Sequence, residues 1–263
     1  MEVATVNYNG PVRASDAVHL RKSLVALAVL LTAVTLAVSV AAQEQVRLEQ
    51  GEFEYLPTTN GILITAPHGT FDINTDALAV AVARKLGSGY LVFRGTTPTG
   101  QRINVNRPTE GAGRTCPNEE RSDRTQIVYD TYLRLARAAF GAAPPALYVE
   151  IHGNANPRSA QKIEVASKGV SAAEASGMKE HYLSALPAVQ RDWPLFPTLQ
   201  LLVEPADRVF FTASCVKALG ILSLDSFARA LHFEFPRTVR EPDLLEASAM
   251  LTATLLQRLP GLR

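Results

Sequence analysis

The sequence has no excess of charge of either sign: 26 Lys and Arg against 25 Asp and Glu leave a formal net charge of +1. Those charges are well mixed, which removes the electrostatic case for nucleic acid or an acidic polymer as partner and points to a small molecule or peptide. Cysteine is nearly absent. Cys116 and Cys215 are the only two, so at most one disulfide can form; an oxidising compartment permits it, and two unpaired, buried thiols are the alternative. Internal repeats and low-complexity tracts are lacking as well, and long apolar runs are lacking save one.

That one run covers residues 24–40, follows Arg21 and Lys22, and ends in the small residues Val40, Ala41 and Ala42. It reads as an export signal cleaved after Ala41 or Ala42, or as a retained membrane anchor at the short end of what spans a hydrocarbon core of about 30 Å. Residues 1–42 are therefore expected to be leader or anchor, and residues 43–263 one catalytic domain, secreted or periplasmic and tied to a membrane only if the leader is retained. The oligomeric state is not legible in the chain.

Short apolar runs alternate with longer periodic ones, the rhythm of an α/β protein. Strands are expected over residues 61–66, 90–94, 146–151, 161–166, 199–203 and 230–235, and helices over 76–86, 119–140, 172–186 and 241–258. Gly87 stands where a helix C-cap is expected. Residues 94–118 are rich in Gly, Pro, Thr and Asn and are expected to form one long functional loop.

Four polar motifs sit at the ends of apolar segments: Pro67 to Asp72, Asn104 to Arg107, Glu150 to Asn154, and His232 to Arg237. In open α/β sheets, ligands gather outside the C-terminal ends of strands, where His68 and His152 fall. A histidine leaving a strand and a carboxylate one turn later can converge on one ion, so His68, Asp72 and His152 are the candidate ligands of a catalytic zinc, which takes three protein ligands plus water. Asp76 competes with Asp72, although its place before a periodic apolar run suits helix capping better.

Glu234 stands in the alternation Leu231-His232-Phe233-Glu234-Phe235, where a buried carboxylate must be paired or working. It is the candidate general base, with a salt bridge to Arg237 or Arg240 as the alternative. His232 shares its face and could touch substrate, support the metal, or be purely structural. Glu150 shares a face with His152 and could orient it through a hydrogen bond. Arg107 can grip a substrate carboxylate or polarise the scissile carbonyl, or be a plain surface arginine. Asn106, Asn154 and Arg237 complete the candidate substrate contacts, while Asn104 is a weaker candidate.

With these motifs in place the chain resembles the N-formylglutamate amidohydrolase group and its relatives, the phage-type poly-γ-glutamate hydrolases and the zinc carboxypeptidases. The matching parts are Pro67-His68-Gly69 with Asp72, Asn106-Arg107-Pro108, strand-end His152, and Glu234 late in the chain, in the same order. The carboxypeptidase pattern puts two residues between His and Glu, where three separate His68 from Asp72; the Asp-x-His-Ser pattern of the formylglutamate enzymes stands as Glu150-Ile151-His152-Gly153. The resemblance implies a phosphorylase/hydrolase-like fold, a single three-layer α/β/α domain with a mixed, largely parallel sheet. It also implies zinc on His68, Asp72 and His152, Arg107 on a carboxylate or carbonyl oxygen, and Glu234 as base. The function so implied is zinc-dependent hydrolysis of an amide bond in a small, carboxylate-bearing substrate: an N-acyl amino acid, a γ-glutamyl compound or a peptide. Two other expectations stand beside it, a non-catalytic exported ligand-binding protein on the same fold and a membrane-anchored interaction domain.

Overall fold

A computed structural model of the chain describes residues 43–96, 100–111, 116–141 and 145–259. The expected leader or anchor over residues 1–42 lies outside the described residues. Among the described residues no helix is long and apolar enough to cross a membrane.

Eight strands build the main sheet: β1 (Glu44–Leu48), β2 (Gly51–Leu56), β3 (Ile62–Ala66), β4 (Gly89–Gly95), β7 (Leu147–Asn154), β8 (Lys162–Lys168), β9 (Gln200–Val203) and β10 (Ala230–Pro236). Their order is β1-β2-β4-β3-β7-β10-β8-β9. The centre, β4-β3-β7-β10, is parallel throughout, and antiparallel neighbours β2 and β8 flank it on either side. Two further strands, β5 (Ile103–Asn104) and β6 (Thr109–Glu110), form a separate antiparallel pair. The helices are α1 (Thr75–Leu86), α2 (Asp123–Phe140), α3 (Ala172–Asp192), α4 (Ser214–Leu219) and α5 (Pro242–Gln257). The result is a three-layer α/β/α domain on a mixed, largely parallel sheet.

Side-chain alternation along the central strands sorts the two faces. Ile64 and Ala66 of β3, Val149 and Ile151 of β7, and Phe233 and Phe235 of β10 all enter the core shared with α1, α3 and α5. The opposite face packs Leu63, Tyr148 and Ala230 against Phe53, Tyr132 and other residues of β2 and α2. On that second face the C-terminal halves of β7 and β10 turn polar, with Glu150, His152 and Asn154 on one and His232 and Glu234 on the other. One face of each strand thus secures the fold and frees the other for chemistry.

Several elements depart from the sequence expectation. Residues 44–56, outside every strand expected from the sequence, form the β1–β2 hairpin at the sheet edge, where charged residues alternate with Val46, Phe53 and Tyr55 and only one side is buried. The third helix runs past Pro187 to Asp192. Proline cannot donate to the carbonyl four residues back, but that residue is exposed Leu183, so water can satisfy it. The second helix begins at Asp123 instead of 119, because Ser122 and Thr125 form a capping box there. The expected loop over 94–118 contains the β5–β6 pair, which folds Asn106-Arg107-Pro108 back on itself; residues 97–99 and 112–115 lie outside the described residues. Cys116 and Cys215 are joined in a disulfide with a Cα separation of 5.2 Å, which ties the segment before α2 to the first turn of α4.

Candidate metal centre

Two turns after β3 bring the first pair of donors together. The His68 carbonyl accepts from the Phe71 and Asp72 amides at 2.9 and 2.8 Å, and the Asp72 carbonyl accepts from the Thr75 amide at 3.0 Å. The chain folds over itself, and the Asp72 carboxylate meets the imidazole four residues before it. Gly69 is needed for this path, since a Cβ there would stand 2.8 Å from the Phe93 carbonyl oxygen and 2.9 Å from the Asp76 Cβ.

Parallel pairing delivers the remaining groups. β10 aligns with β7 so that Glu234 is opposite His152 and His232 opposite Glu150, all four on one face. His152 Nδ1 lies 3.2 Å from His68 Nδ1 and 3.3 Å from Asp72 Oδ2, and His68 Nδ1 lies 3.3 Å from the same oxygen. A tetrahedral ion with bonds of about 2.0 to 2.1 Å needs its donors about 3.3 to 3.4 Å apart, which is the spacing of this triangle. The residues fit a zinc-sized ion, and all three are buried.

Asp76 is absent from this triangle. It is the second residue of α1 and pairs with Arg94 at 2.5 Å, while Asn74 takes the N-cap position with a left-handed backbone. The helix is therefore not capped by Asp76, contrary to its sequence reading.

Glu150 lies beneath His152 at the centre of a hydrogen-bonded web. Its Oε2 is 3.3 Å from His152 Nε2 and 2.7 Å from His232 Nδ1; its Oε1 accepts from the Tyr148 hydroxyl at 2.9 Å, and both oxygens accept from Asn106 Nδ2 at 3.1 Å. Burial pushes this carboxyl up, but the two histidines outweigh it and hold it well below the usual carboxylate range. An ionised carboxylate only accepts, so His152 must carry a proton on Nε2 and present Nδ1 to Asp72 and His68. The His232 ring stacks on His152 with centroids 4.0 Å apart, and its Nε2 lies 3.3 Å from Glu234 Oε1.

The triangle is charged in a definite way. Burial drives His68 down to about 3, so it is neutral. Burial raises Asp72, yet hydrogen bonds with His152 and His68 hold it well below the ordinary range. Burial lowers His152, but hydrogen bonds to Asp72 and Glu150 overcome it and raise it to about 9. A proton thus sits between carboxylates where a cation would bind. Two buried atoms beside it lack a hydrogen-bond partner among the described residues, His68 Nε2 and Glu234 Oε2. Glu234 pairs with neither Arg237 nor Arg240; its other oxygen faces His232.

A cavity of about 480 Å³ opens over these groups, lined among others by Arg102, Arg107, Asn154, Phe210 and Phe211. Arg107 lines it with a guanidinium already committed: Nε and Nη2 donate to Glu119 at 2.6 and 2.5 Å, and Nη1 donates to Asn106 Oδ1 at 3.1 Å. The free carboxylate clamp read from the sequence is therefore a closed, buried ion pair. Asn106 is fully buried under Glu150 and supports the web instead of meeting substrate. Asn154 does line the cavity, with Nδ2 buried and unpaired among the described residues.

Arg237 is exposed and pairs with Glu241 at 3.2 Å, outside the cavity, because β10 ends at Pro236 and a 3-10 turn over Arg237–Arg240 rotates it away. That turn buries Arg240 instead. The Arg240 guanidinium donates to the carbonyls of Phe235, Ile73 and Asn154, joining the ends of β10, the His68–Asp72 loop and β7. It lies against Gly153, where a Cβ would meet its Cζ at 2.3 Å, which explains the glycine after His152. Two more residues escaped sequence reading: Arg102, which carried no motif, and Glu164, opposite Glu234 on β8, which accepts from the Phe210 and Phe211 amides at 2.5 and 3.1 Å and so fixes one cavity wall.

No family model and no curated protein matches the chain. Among solved structures it is similar to a bacteriophage poly-γ-glutamate hydrolase, at 13% identity over 84% of this chain and 94% of that one, with a TM-score of 0.48. It is also similar to a metallo-carboxypeptidase from Burkholderia cenocepacia, at 17% identity over 87% and 68% with a TM-score of 0.45. A third, an aspartoacylase family protein from Mesorhizobium loti, is 14% identical over 84% and 66%, with a TM-score of 0.38. The protein classes met here include the two relatives named by the motif resemblance. Likeness of this degree carries no inference about chemistry, which rests on the side chains themselves.

Proposed function

We propose that the protein is a zinc-dependent hydrolase of an amide bond in a small substrate, exported to an oxidising compartment. The observation that carries this reading is the triangle of His68, Asp72 and His152 donors, spaced 3.2 to 3.3 Å, with the unpaired Glu234 Oε2 in the same cavity. The Cys116–Cys215 bridge supports the compartment.

His68, Asp72 and His152 would hold the ion. Zinc held there would supply a Lewis acid and a water whose pKa is about 7. Glu234 takes the proton of the attacking water at Oε2 and returns it to the leaving nitrogen, with His232 Nε2 lying 3.3 Å from its other oxygen. Glu150 fixes the His152 ring, and Tyr148 and Asn106 fix Glu150. Phe210 and Phe211 give the cavity an apolar wall on which part of the substrate rests.

The test is a panel of N-acyl and γ-linked amino-acid amides incubated with zinc-loaded protein. At least one member should be hydrolysed, the activity should vanish with a chelator, and added zinc should restore it. Hydrolysis that survives complete chelation would refute the metal-dependent mechanism, and no hydrolysis across the panel would refute the substrate class.

A further inference from the structure

Three buried side chains stand in one row across the polar face of the sheet. Glu234 of β10 is paired in register with His152 of β7 on one side and with Glu164 of β8 on the other, so all three point the same way. Neighbouring strands lie about 4.8 Å apart, which sets the spacing of the row. Glu164 is fully buried, and among the described residues three donors and no cation surround it. The Ser159 hydroxyl donates to Oε1 at 2.6 Å, and the Phe210 and Phe211 amides donate to Oε2 at 2.5 and 3.1 Å. A buried carboxylate is costly unless its oxygens are satisfied, and here the satisfaction comes from one particular stretch of backbone.

That stretch is the cavity wall from Phe210 to Val216. Its two ends are tied independently of Glu164: Asp207 accepts from the Val203 amide at 2.9 Å, and Cys215 is bridged to Cys116. Between those ties, from Arg208 to Thr212, the amides of Phe210 and Phe211 are the only ones hydrogen-bonded among the described residues, and both bonds end on Glu164. Ala213 in the same wall has φ 53°, a left-handed conformation that a residue with a Cβ rarely adopts. The segment is thus held in a path its own residues do not favour, and the Phe210 ring is left 53% exposed at the cavity.

The geometry points to Glu164 as a positioning residue, which fixes the Phe210–Phe211 wall at a set distance from His152 and Glu234 so that the Phe210 ring meets the apolar group flanking the scissile bond. Glu164 does not itself line the cavity and acts only through the two amides it holds. The assignment rests on the zinc site of the reading above.

Hydroxamates chelate zinc without being turned over, so calorimetric titration of zinc-loaded protein with acetohydroxamate and with benzohydroxamate separates the ion from the wall. Wild-type protein should prefer benzohydroxamate by about fivefold or more, the scale of one aromatic contact. Glu164→Ala should cut that preference to about twofold or less while acetohydroxamate affinity and zinc content stay at the wild-type level. Glu164→Gln keeps an acceptor oxygen for the two amides and should retain most of the preference. Phe210→Ala should match Glu164→Ala, and the double variant should lose no more than either alone, because both act through the same ring. Hydrogen exchange at the Phe210 and Phe211 amides should quicken in Glu164→Ala. If Glu164→Ala does not fold, Glu164→Met, of similar length and without an acceptor, gives the same comparison. A preference that survives loss of the carboxylate, losses that add in the double variant, or no preference in wild-type protein would overturn the assignment. Wild-type protein that binds neither hydroxamate would overturn it together with the zinc site. Amide hydrolysis by a protein whose preference ignores Glu164 would remove Glu164 and leave the hydrolase standing, and a Glu164-dependent preference without amide hydrolysis would do the reverse.

Discussion

Glu234→Gln is expected to lower kcat for amide hydrolysis by about 10²- to 10⁴-fold, the contribution of a well-placed general base. The substitution is close to isosteric, so the neighbouring His232 and the strand pairing with His152 are retained. Glu234 lies outside the donor triangle, so bound zinc should stay at the wild-type level and KM should change little. The loss belongs to the proton transfer alone, because an amide cannot accept the water proton at Oε2. Steady-state kinetics with parallel metal analysis reads both quantities; an unchanged kcat with full zinc would remove Glu234 from the mechanism.

The double variant Cys116→Ser with Cys215→Ser should lose about 4 kcal/mol of stability, since the bridge closes a loop with a sequence separation of 99. For a domain of this size that is about 10 °C in thermal midpoint. The effect should reach the cavity as well. Glu119, three residues after Cys116, holds Arg107, and Cys215 lies in the segment from Phe210 to Val216 that lines the same space. KM should therefore rise along with the loss of stability. A midpoint within about 2 °C of wild type in non-reducing buffer would show that the bridge contributes little.

Much of this architecture can be read from the chain because the central strands are nearly continuous apolar runs that end in polar residues. Ile62 to Ala66 followed by His68, and Leu147 to Ile151 followed by His152, announce both a buried strand and a group at its C-terminal edge. The register that sets Glu234 opposite His152 is a tertiary fact with no local signal. The same limit governs the arginines. Arg107 is visible as a loop arginine, but its partner Glu119 stands twelve residues later, at the start of what reads as a helix. Arg237 and Arg240 differ only in which side of a 3-10 turn they occupy, and their burial is opposite. Asp72 and Asp76 look alike in sequence; Arg94, on the neighbouring strand, engages one and leaves the other to the histidines.

Zinc titration of the metal-free protein is the most direct test of the central claim, that His68, Asp72 and His152 form a metal centre. About one equivalent should bind per chain, and none to a variant carrying His68→Ala and His152→Ala. The sign of the pH dependence follows from the ligands: His68 and Asp72 are already deprotonated near neutral pH, whereas His152 keeps its proton up to about 9. That proton must leave when zinc binds, so affinity should climb about tenfold per pH unit between 6 and 8 and level off above about 9. Less than about a tenth of an equivalent bound at pH 8, or equal binding by the double variant, would contradict the account.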